Sequence, residues 1–282
     1  MILAQLSDTH VVRPGAKYFG ADSARYLAEA LAALQTLVPR PDAVIVTGDL
    51  VHRGSKPEYA RFVRIMAGLD LPYYVVPGNH DDRDRMRAVL APETFGSSAG
   101  TRVRYTLEAH GVRLIGLDAT GEPSFPNASL DADSLDWFEA TLAAAPLVPT
   151  IVAVHQPPFR TGLVYLDVFR YEGAARFRRA LERHPNVGRV LCGHIHCVRT
   201  ARLGSALALS GPSTAPQIVP ELFGRRLFAL RREAPGFAVH AWDPARGFTT
   251  TIHRRDPATG VYAATEAYPA AGAAFGVANA RV

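Results

Sequence analysis

Cysteine is scarce: Cys192 and Cys197 are the only two in 282 residues, so no disulfide framework is expected and both read as small buried residues. Long hydrophobic runs are missing as well. No stretch approaches the roughly 18 consecutive apolar residues of a membrane helix. Met1 leads directly into an apolar strand with no basic leader or cleavage site, and a cytoplasmic protein with no membrane partner is expected. There is no long basic run interleaved with aromatics. The net charge of +5 comes from arginines scattered among acids, as in Asp81-Asp82-Arg83-Asp84-Arg85. Such a balance permits an anionic substrate and argues against nucleic acid as the partner. Internal repeats are absent. What is present, 48% hydrophobic and 20% charged residues, suits one main α/β domain spanning 1–282 with a C-terminal appendage from about residue 212.

Along the chain, apolar runs alternate with helical patterns. Leu3 to His10 reads as a buried strand ending on Asp8 and His10, whose side chains lie two residues apart and so point the same way on an extended chain. A helix is expected from about Asp22 to Leu37, with Asp22 or Ser23 as its cap. The strand Ala43 to Thr47 closes on Gly48-Asp49. A helix near Lys56 to Met66 precedes the strand Tyr73 to Val76, which ends on Pro77-Gly78-Asn79-His80-Asp81-Asp82. Asp81 or Asp82 is read as an N-cap for the helical stretch after it. Val103 to Leu107 and Val112 to Leu117 read as an antiparallel hairpin, with Asp118 at its end. Helices are expected at Ser134 to Leu142 and Tyr171 to Arg183. Strands are expected at Ile151 to Val154, ending on His155-Gln156-Pro157-Pro158, and at Val187 to Leu191, running into Cys192-Gly193-His194-Ile195-His196. Ala206 to Leu209, Arg226 to Leu230, Gly236 to Trp242 and Phe248 to His253 look like a late antiparallel group. The tail from about Thr259 reads as irregular or as a subunit contact.

Alternating strands and helices argue for parallel pairing, which gathers active groups at the strands' carboxyl ends. Those ends carry Asp8-x-His10, Gly48-Asp49, Gly78-Asn79-His80, His155 and Gly193-His194-x-His196, in that order. Each piece is common, but the ordered series is specific. It resembles the calcineurin-like metallophosphoesterase superfamily from residue 3 to about 197. The Pro-Gly-Asn-His-Asp-Asp and His-Gln-Pro-Pro blocks look most like the bacterial class III enzymes, cyclic-nucleotide phosphodiesterases and glycerophosphodiesterases.

Asp8, His10, Asp49, Asn79, His155, His194 and His196 together supply more donors than one ion with open positions takes, and mixed oxygen and nitrogen donors suit Mn, Fe or Zn. By the resemblance, Asp49 bridges two divalent metal ions. Asp8, His10 and His196 complete one ion, and Asn79, His155 and His194 complete the other. His80 is implied as the catalytic residue, donating to a phosphate oxygen or to the leaving group, and as a substrate contact together with Asn79. The implied fold is a four-layer α-β-β-α sandwich of two mixed sheets with a C-terminal antiparallel extension, a possible cap or oligomer contact. The implied reaction is hydrolysis of a small phosphodiester, a 3′,5′-cyclic nucleotide or a glycerophosphodiester, through a metal-bridging hydroxide, in a homo-oligomer. Rivals are a phosphomonoesterase or pyrophosphatase of the same fold, a DNA nuclease, and a catalytically idle scaffold. Purple acid phosphatases carry a tyrosine where this chain has His52, so a tyrosinate-bound ferric centre is not expected, and His52 is read as packing or hydrogen bonding. His110, His184, His240 and His253 read as surface or packing residues. Asp118 reads either as an orienting partner of a ligand histidine or as an ordinary strand-end carboxylate. The loop Arg13 to Gly20 and the region after Gly211 read as pocket walls.

Overall fold

Val44, Ile45 and Val46 illustrate why the apolar runs become strands: branched side chains stiffen the backbone, pack well on a pleated surface, and here are wholly buried. The computed structural model describes residues 1–96, 100–121, 127–218, 230–231, 235–256, 258–259 and 262–269. In chain order its elements are β1 (Ile2–Leu6), α1 (Ser23–Gln35), β2 (Ala43–Thr47), α2 (Lys56–Met66), β3 (Tyr73–Val76), α3 (Arg83–Val89), β4 (Arg104–Ala109), β5 (Val112–Leu117), β6 (Ala128–Ser129), α4 (Ala132–Ala144) and β7 (Thr150–Val154). These are followed by α5 (Val164–Asp167), β8 (Tyr171–Glu172), α6 (Ala174–Arg183), β9 (Val187–Cys192), β10 (Arg199–Leu203), β11 (Ala206–Ser210), β12 (Gln217–Ile218), β13 (Leu230–Arg231), β14 (Gly236–Asp243), β15 (Gly247–Arg255) and β16 (Tyr262–Tyr268).

Two six-stranded mixed sheets result. One has the order β16-β15-β14-β1-β2-β3, with β1, β2 and β3 parallel and the last three strands antiparallel beside them. The other runs β10-β11-β9-β7-β5-β4, parallel from β5 through β7 and β9 to β11 with antiparallel edges. Helices α1 and α2 cover the first sheet, where Leu27, Leu34, Tyr59 and Phe62 share an apolar cluster with Leu3, Val44 and Val75. Helices α4 and α6 cover the second, through Phe138, Leu142, Phe177 and Leu181 against Ile115, Val152 and Val190. Polar side chains cross between the sheets: Gln5 donates to the Cys192 carbonyl (2.8 Å), Tyr105 to the Val75 carbonyl (3.0 Å), and Arg189 to Thr250 Oγ1 (3.0 Å). The architecture is the four-layer α-β-β-α sandwich.

Helix starts follow local chemistry. Asp22 caps α1 by accepting from Arg25 N, and Ser55 with Glu58 forms a capping box on α2. The helix read from Tyr171 begins instead at Ala174. Gly173 adopts a left-handed conformation, and the two residues before it pair as β8 with β6. Two further readings change. Residues 206–210 are not part of an antiparallel group alone, since β11 lies parallel to β9 with Leu209 opposite Leu191. Residues 262–268, inside the tail read as irregular, form β16 against β15. Of the segment 226–230, residues 226–229 lie outside the described residues, and Leu230 pairs in β13. Cys192 and Cys197 are buried and not disulfide-bonded. Among the described residues no helix is long and apolar enough to cross a membrane.

Candidate metal centre

Five parallel strands end at one edge of the sandwich, β1, β2 and β3 from one sheet and β7 and β9 from the other. The residue pairs after them meet there. Asp8, His10, Asp49 and His196 each offer a ligand atom within 4.8 Å of the others, and so do Asp49, His155 and His194. Asn79 Oδ1 lies 2.8 Å from His194 Nδ1 and 3.1 Å from His155 Nε2. Asp49 stands in both clusters: its Oδ2 is 3.4 Å from His10 Nε2 and 3.4 Å from His155 Nε2. Its Oδ1 accepts from the His80 backbone N–H at 2.9 Å.

The turns that achieve this are strained. Asp8, His10, Asp49, His194 and His196 all have φ between 39° and 70°, a left-handed conformation that costs a residue with a Cβ about 1–2 kcal/mol. Surrounding contacts hold them there. The Asp8 carboxylate accepts from Ser7 Oγ (2.6 Å) and His194 N (2.9 Å), and the Asp8 carbonyl accepts from Ser213 Oγ (2.9 Å). Gly78 passes so close to the Asp49 carboxylate and backbone that any side chain there would overlap them.

Backbone carbonyls set the proton positions on three imidazoles. His155 Nδ1 lies 2.7 Å from the Thr47 carbonyl, His196 Nδ1 2.7 Å from the Pro216 carbonyl, and His80 Nδ1 2.9 Å from the His52 carbonyl. A carbonyl only accepts, so each Nδ1 carries a proton and each ring turns Nε2 the other way. His196 Nε2 lies 2.9 Å from His10 Nε2, and His155 Nε2 lies 3.1 Å from Asn79 Oδ1. His10 Nδ1 is buried without a partner. Imidazole nitrogens and an amide oxygen gathered around a shared carboxylate are the donor set a divalent cation satisfies, so the residues fit metal ions.

Electrostatics point the same way. Burial opposes ionisation of Asp49, yet the imidazoles of His155, His80 and His10 outweigh it and hold the carboxyl well below its usual range. Burial also opposes a charged His155, but Asp49 and Asp8 push its pKa up to about 9. Burial lowers His194 to about 3, aided by His155. Burial likewise raises Asp8 and lowers His10 well below its ordinary value. A cation would take the place of the proton His155 attracts.

The structure thus brings together all eight residues singled out from the sequence, with His80 beside the first cluster, its ring 4.7 Å from that of His10. The remaining readings are settled by what each side chain touches. Asp118 touches no ligand histidine. It pairs with Arg83 (3.3 Å) and Arg102 (3.7 Å) and accepts from Thr120 Oγ1. Asp82 caps α3, whereas Asp81 accepts from Leu50 N and Gly78 N and ties the loops after β2 and β3. The His52 ring packs on His80, centroids 5.1 Å apart. His240, grouped with surface or packing residues, is buried and bonded to Gln5 and Thr250. The loop 13–20 and Ala215 do meet, through Tyr18, but the cavities that include Asn79, His80 and His194 have other walls. Tyr18 lies flat on His10, 4.4 Å between centroids at 7°. Neither that stacking nor the orienting carbonyls of Thr47 and Pro216 left a mark in the sequence, because each depends on how the folded loops bring two groups face to face.

Comparison with known proteins agrees with this geometry. Residues 1–198 match the family described as Calcineurin-like phosphoesterase. The chain is 32% identical over 221 residues to the glycerophosphodiester phosphodiesterase GpdQ of Enterobacter lignolyticus, covering 77% of this chain and 79% of that one. It is 30% identical over 238 residues to the 3′,5′-cyclic adenosine monophosphate phosphodiesterase CpdA of Pseudomonas aeruginosa, covering 84% of each. In fold it resembles a dimetal phosphatase from Danio rerio, with a TM-score of 0.66 at 16% identity, covering 89% of this chain and 94% of that one. The ordered strand-end residues, the two-sheet sandwich and these matches lead to one conclusion: the chain belongs to the calcineurin-like phosphoesterase family.

Proposed function

We propose that the protein is a dimetal phosphodiesterase that hydrolyses a small phosphodiester, a 3′,5′-cyclic nucleotide or a glycerophosphodiester, to a phosphomonoester and an alcohol. The observation that carries this reading is Asp49, whose Oδ2 lies 3.4 Å from an imidazole nitrogen of each cluster, so that its carboxylate would belong to both ligand sets. Asp8, His10, Asp49 and His196 would hold one ion, and Asp49, Asn79, His155 and His194 the other. Mn, Fe and Zn all suit this donor set. When bound, two such ions supply Lewis acidity at a phosphoryl oxygen and lower the pKa of water. The chain's own residues orient and donate. The Thr47 and Pro216 carbonyls aim two imidazoles, and His80, fixed through Nδ1–H on the His52 carbonyl, presents Nε2, which as the Nε2–H of an imidazolium donates to a phosphoryl oxygen or passes its proton to the departing alkoxide. The printed names of relatives supply both substrate candidates, cyclic adenosine monophosphate and glycerophosphodiesters. A cytoplasmic homo-oligomer, with residues from about 212 contributing a cap or a subunit contact, completes the reading and is supported by family likeness alone.

The test pairs Asp49→Ala and His80→Ala with the parent protein, using bis(4-nitrophenyl) phosphate, cyclic AMP and glycerophosphoethanolamine with added Mn. Asp49→Ala should lose metal and nearly all turnover. His80→Ala should keep metal and slow by about 10²-fold or more. Turnover of a phosphomonoester exceeding all three diesters would reject the assignment.

A further inference from the structure

Two cavities flank the candidate metal centre, and their charges differ in kind. The one beside Asn79 and His80, about 590 Å³, has four arginines in its wall, of which three are engaged, Arg83 by Asp118 (3.3 Å), Arg85 by Asp82 (3.4 Å) and Arg102 by Asp131 (3.1 Å), while Arg53 stands among four aspartates of the same wall, Asp81, Asp82, Asp84 and Asp131. The other, about 270 Å³, includes His194 in its wall together with Arg160, Arg170 and Arg178. Among the described residues none of these three guanidiniums has a carboxylate partner. The one acid in the wall, Asp167, is taken up by Thr161 N, Thr161 Oγ1 and Gly162 N, each at 2.9 Å. The same wall holds Gln156, 3% exposed, whose Oε1 and Nε2 both lack a hydrogen-bond partner.

A buried amide with neither atom satisfied is uncommon in a folded protein and marks a place where a ligand or solvent group belongs. The three arginines are solvent-exposed at the rim of the cavity and give its mouth one sign of charge, and the planar fork of arginine suits carboxylate and phosphate. His194 joins this cavity to the metal cluster, so a substituent on a phosphorus held there has a direct path into it.

We propose that this cavity is the subsite for one alcohol arm of the diester, and that it selects arms bearing a second anionic group, carboxylate or phosphate, with a neutral polar group of the arm bonded to the Gln156 amide. Arg160, Arg170 and Arg178 are its specificity-determining residues. The inference rests on the diesterase reading and sharpens it: a cationic arm such as ethanolamine is disfavoured.

Three 4-nitrophenyl phosphodiesters that release the same chromophore separate the possibilities: one with a methyl arm, one with a 2-carboxyethyl arm, and 4-nitrophenyl phosphorylcholine. With the Mn-loaded full-length protein at low ionic strength, kcat/KM should rank carboxyethyl above methyl above choline, with about tenfold or more between first and last. In an Arg170→Gln, Arg178→Gln double variant, and separately in Arg160→Gln, the carboxyethyl-to-choline ratio should fall toward one, mainly through KM. Equal kcat/KM for the three esters, a preference for choline, or an unchanged ratio in folded variants would overturn the subsite while leaving the diesterase intact. Failure to cleave any of the three by a metal-loaded sample would overturn the diesterase reading, and this inference with it.

Discussion

Gly78→Ala tests how tightly the fold positions the carboxylate shared by the two clusters. A methyl group built on Gly78 would overlap Asp49 Oδ1 and the Asp49 backbone nitrogen and sit 2.8 Å from Asp49 Cγ. Ordinary carbon contacts are about 3.5–4.0 Å, so the carboxylate or the Gly48-Asp49 turn must retreat by about 1 Å. The turn has little freedom. Asp49 already has φ 51°, and Gly48, with φ 89°, leaves no room for a side chain against the His155 ring. Overpacking of this kind costs about 1–3 kcal/mol of stability. A displacement of about 1 Å at a reacting centre is worth about 10²-fold in rate. The assay is metal stoichiometry by elemental analysis alongside turnover of bis(4-nitrophenyl) phosphate and urea unfolding of the metal-free protein. Gly68→Ala, whose methyl would meet only the Ile65 carbonyl at 3.3 Å, serves as control. Full metal occupancy and a rate within threefold of the parent in Gly78→Ala would refute the claim that this glycine makes room for Asp49.

Three further outcomes follow from the same contacts. Burial, with Arg189 adding, lowers His240 to about 3, so between there and the ordinary pKa of 6.5 the unfolded chain binds the proton that the folded one refuses. The stability His240 contributes is therefore complete above pH 6.5 and is lost as pH falls toward 3, at about 1.4 kcal/mol per pH unit. His240→Gln should flatten that part of the urea-derived profile, and an identical slope would contradict it. Asp81→Asn turns an acceptor of the Leu50 and Gly78 N–H groups and the Tyr59 hydroxyl into a partial donor, and should lower stability by about 1–3 kcal/mol at the urea midpoint. Mn at about 100 times its Kd should add about 2.7 kcal/mol for each ion bound to the chelator-stripped protein and raise Tm by about 5–10 °C per ion. A Tm indifferent to metal would count against the cation site.

The buried polar belt between the sheets ties the site to the rest of the fold. Gln5 on β1 donates to Thr47 Oγ1 (3.0 Å) and to the Cys192 carbonyl (2.8 Å), and so links the strands that precede Asp8, Asp49 and His194. On its other side His240 bonds both Gln5 and Thr250, and Arg189 reaches Thr250 and the Phe248 carbonyl. Polar groups buried this deeply are costly unless satisfied, and here they fix the register of one sheet upon the other.

By itself the sequence determined the strands of the two parallel cores and the residues at their carboxyl ends. Branched apolar runs have one stable use, and parallel α/β connectivity delivers each run's last residues to the same edge. That is why Asp8, His10, Asp49, Asn79, His80, His155, His194 and His196 were legible as a group before any fold was known. Only the tertiary structure decided that β11 lies parallel to β9 and that β14 to β16 extend the first sheet beside β1, since strand partners distant in sequence leave no local periodicity. It alone decided which nitrogen each imidazole presents, because Thr47 and Pro216 impose that through carbonyls 108 and 20 residues away. The stacking of Tyr18 on His10, the diversion of Asp118 to Arg83 and Arg102, and the unpaired arginines beside His194 belong to the same class: each depends on what the folded chain places opposite a side chain, and a one-dimensional pattern carries no record of that.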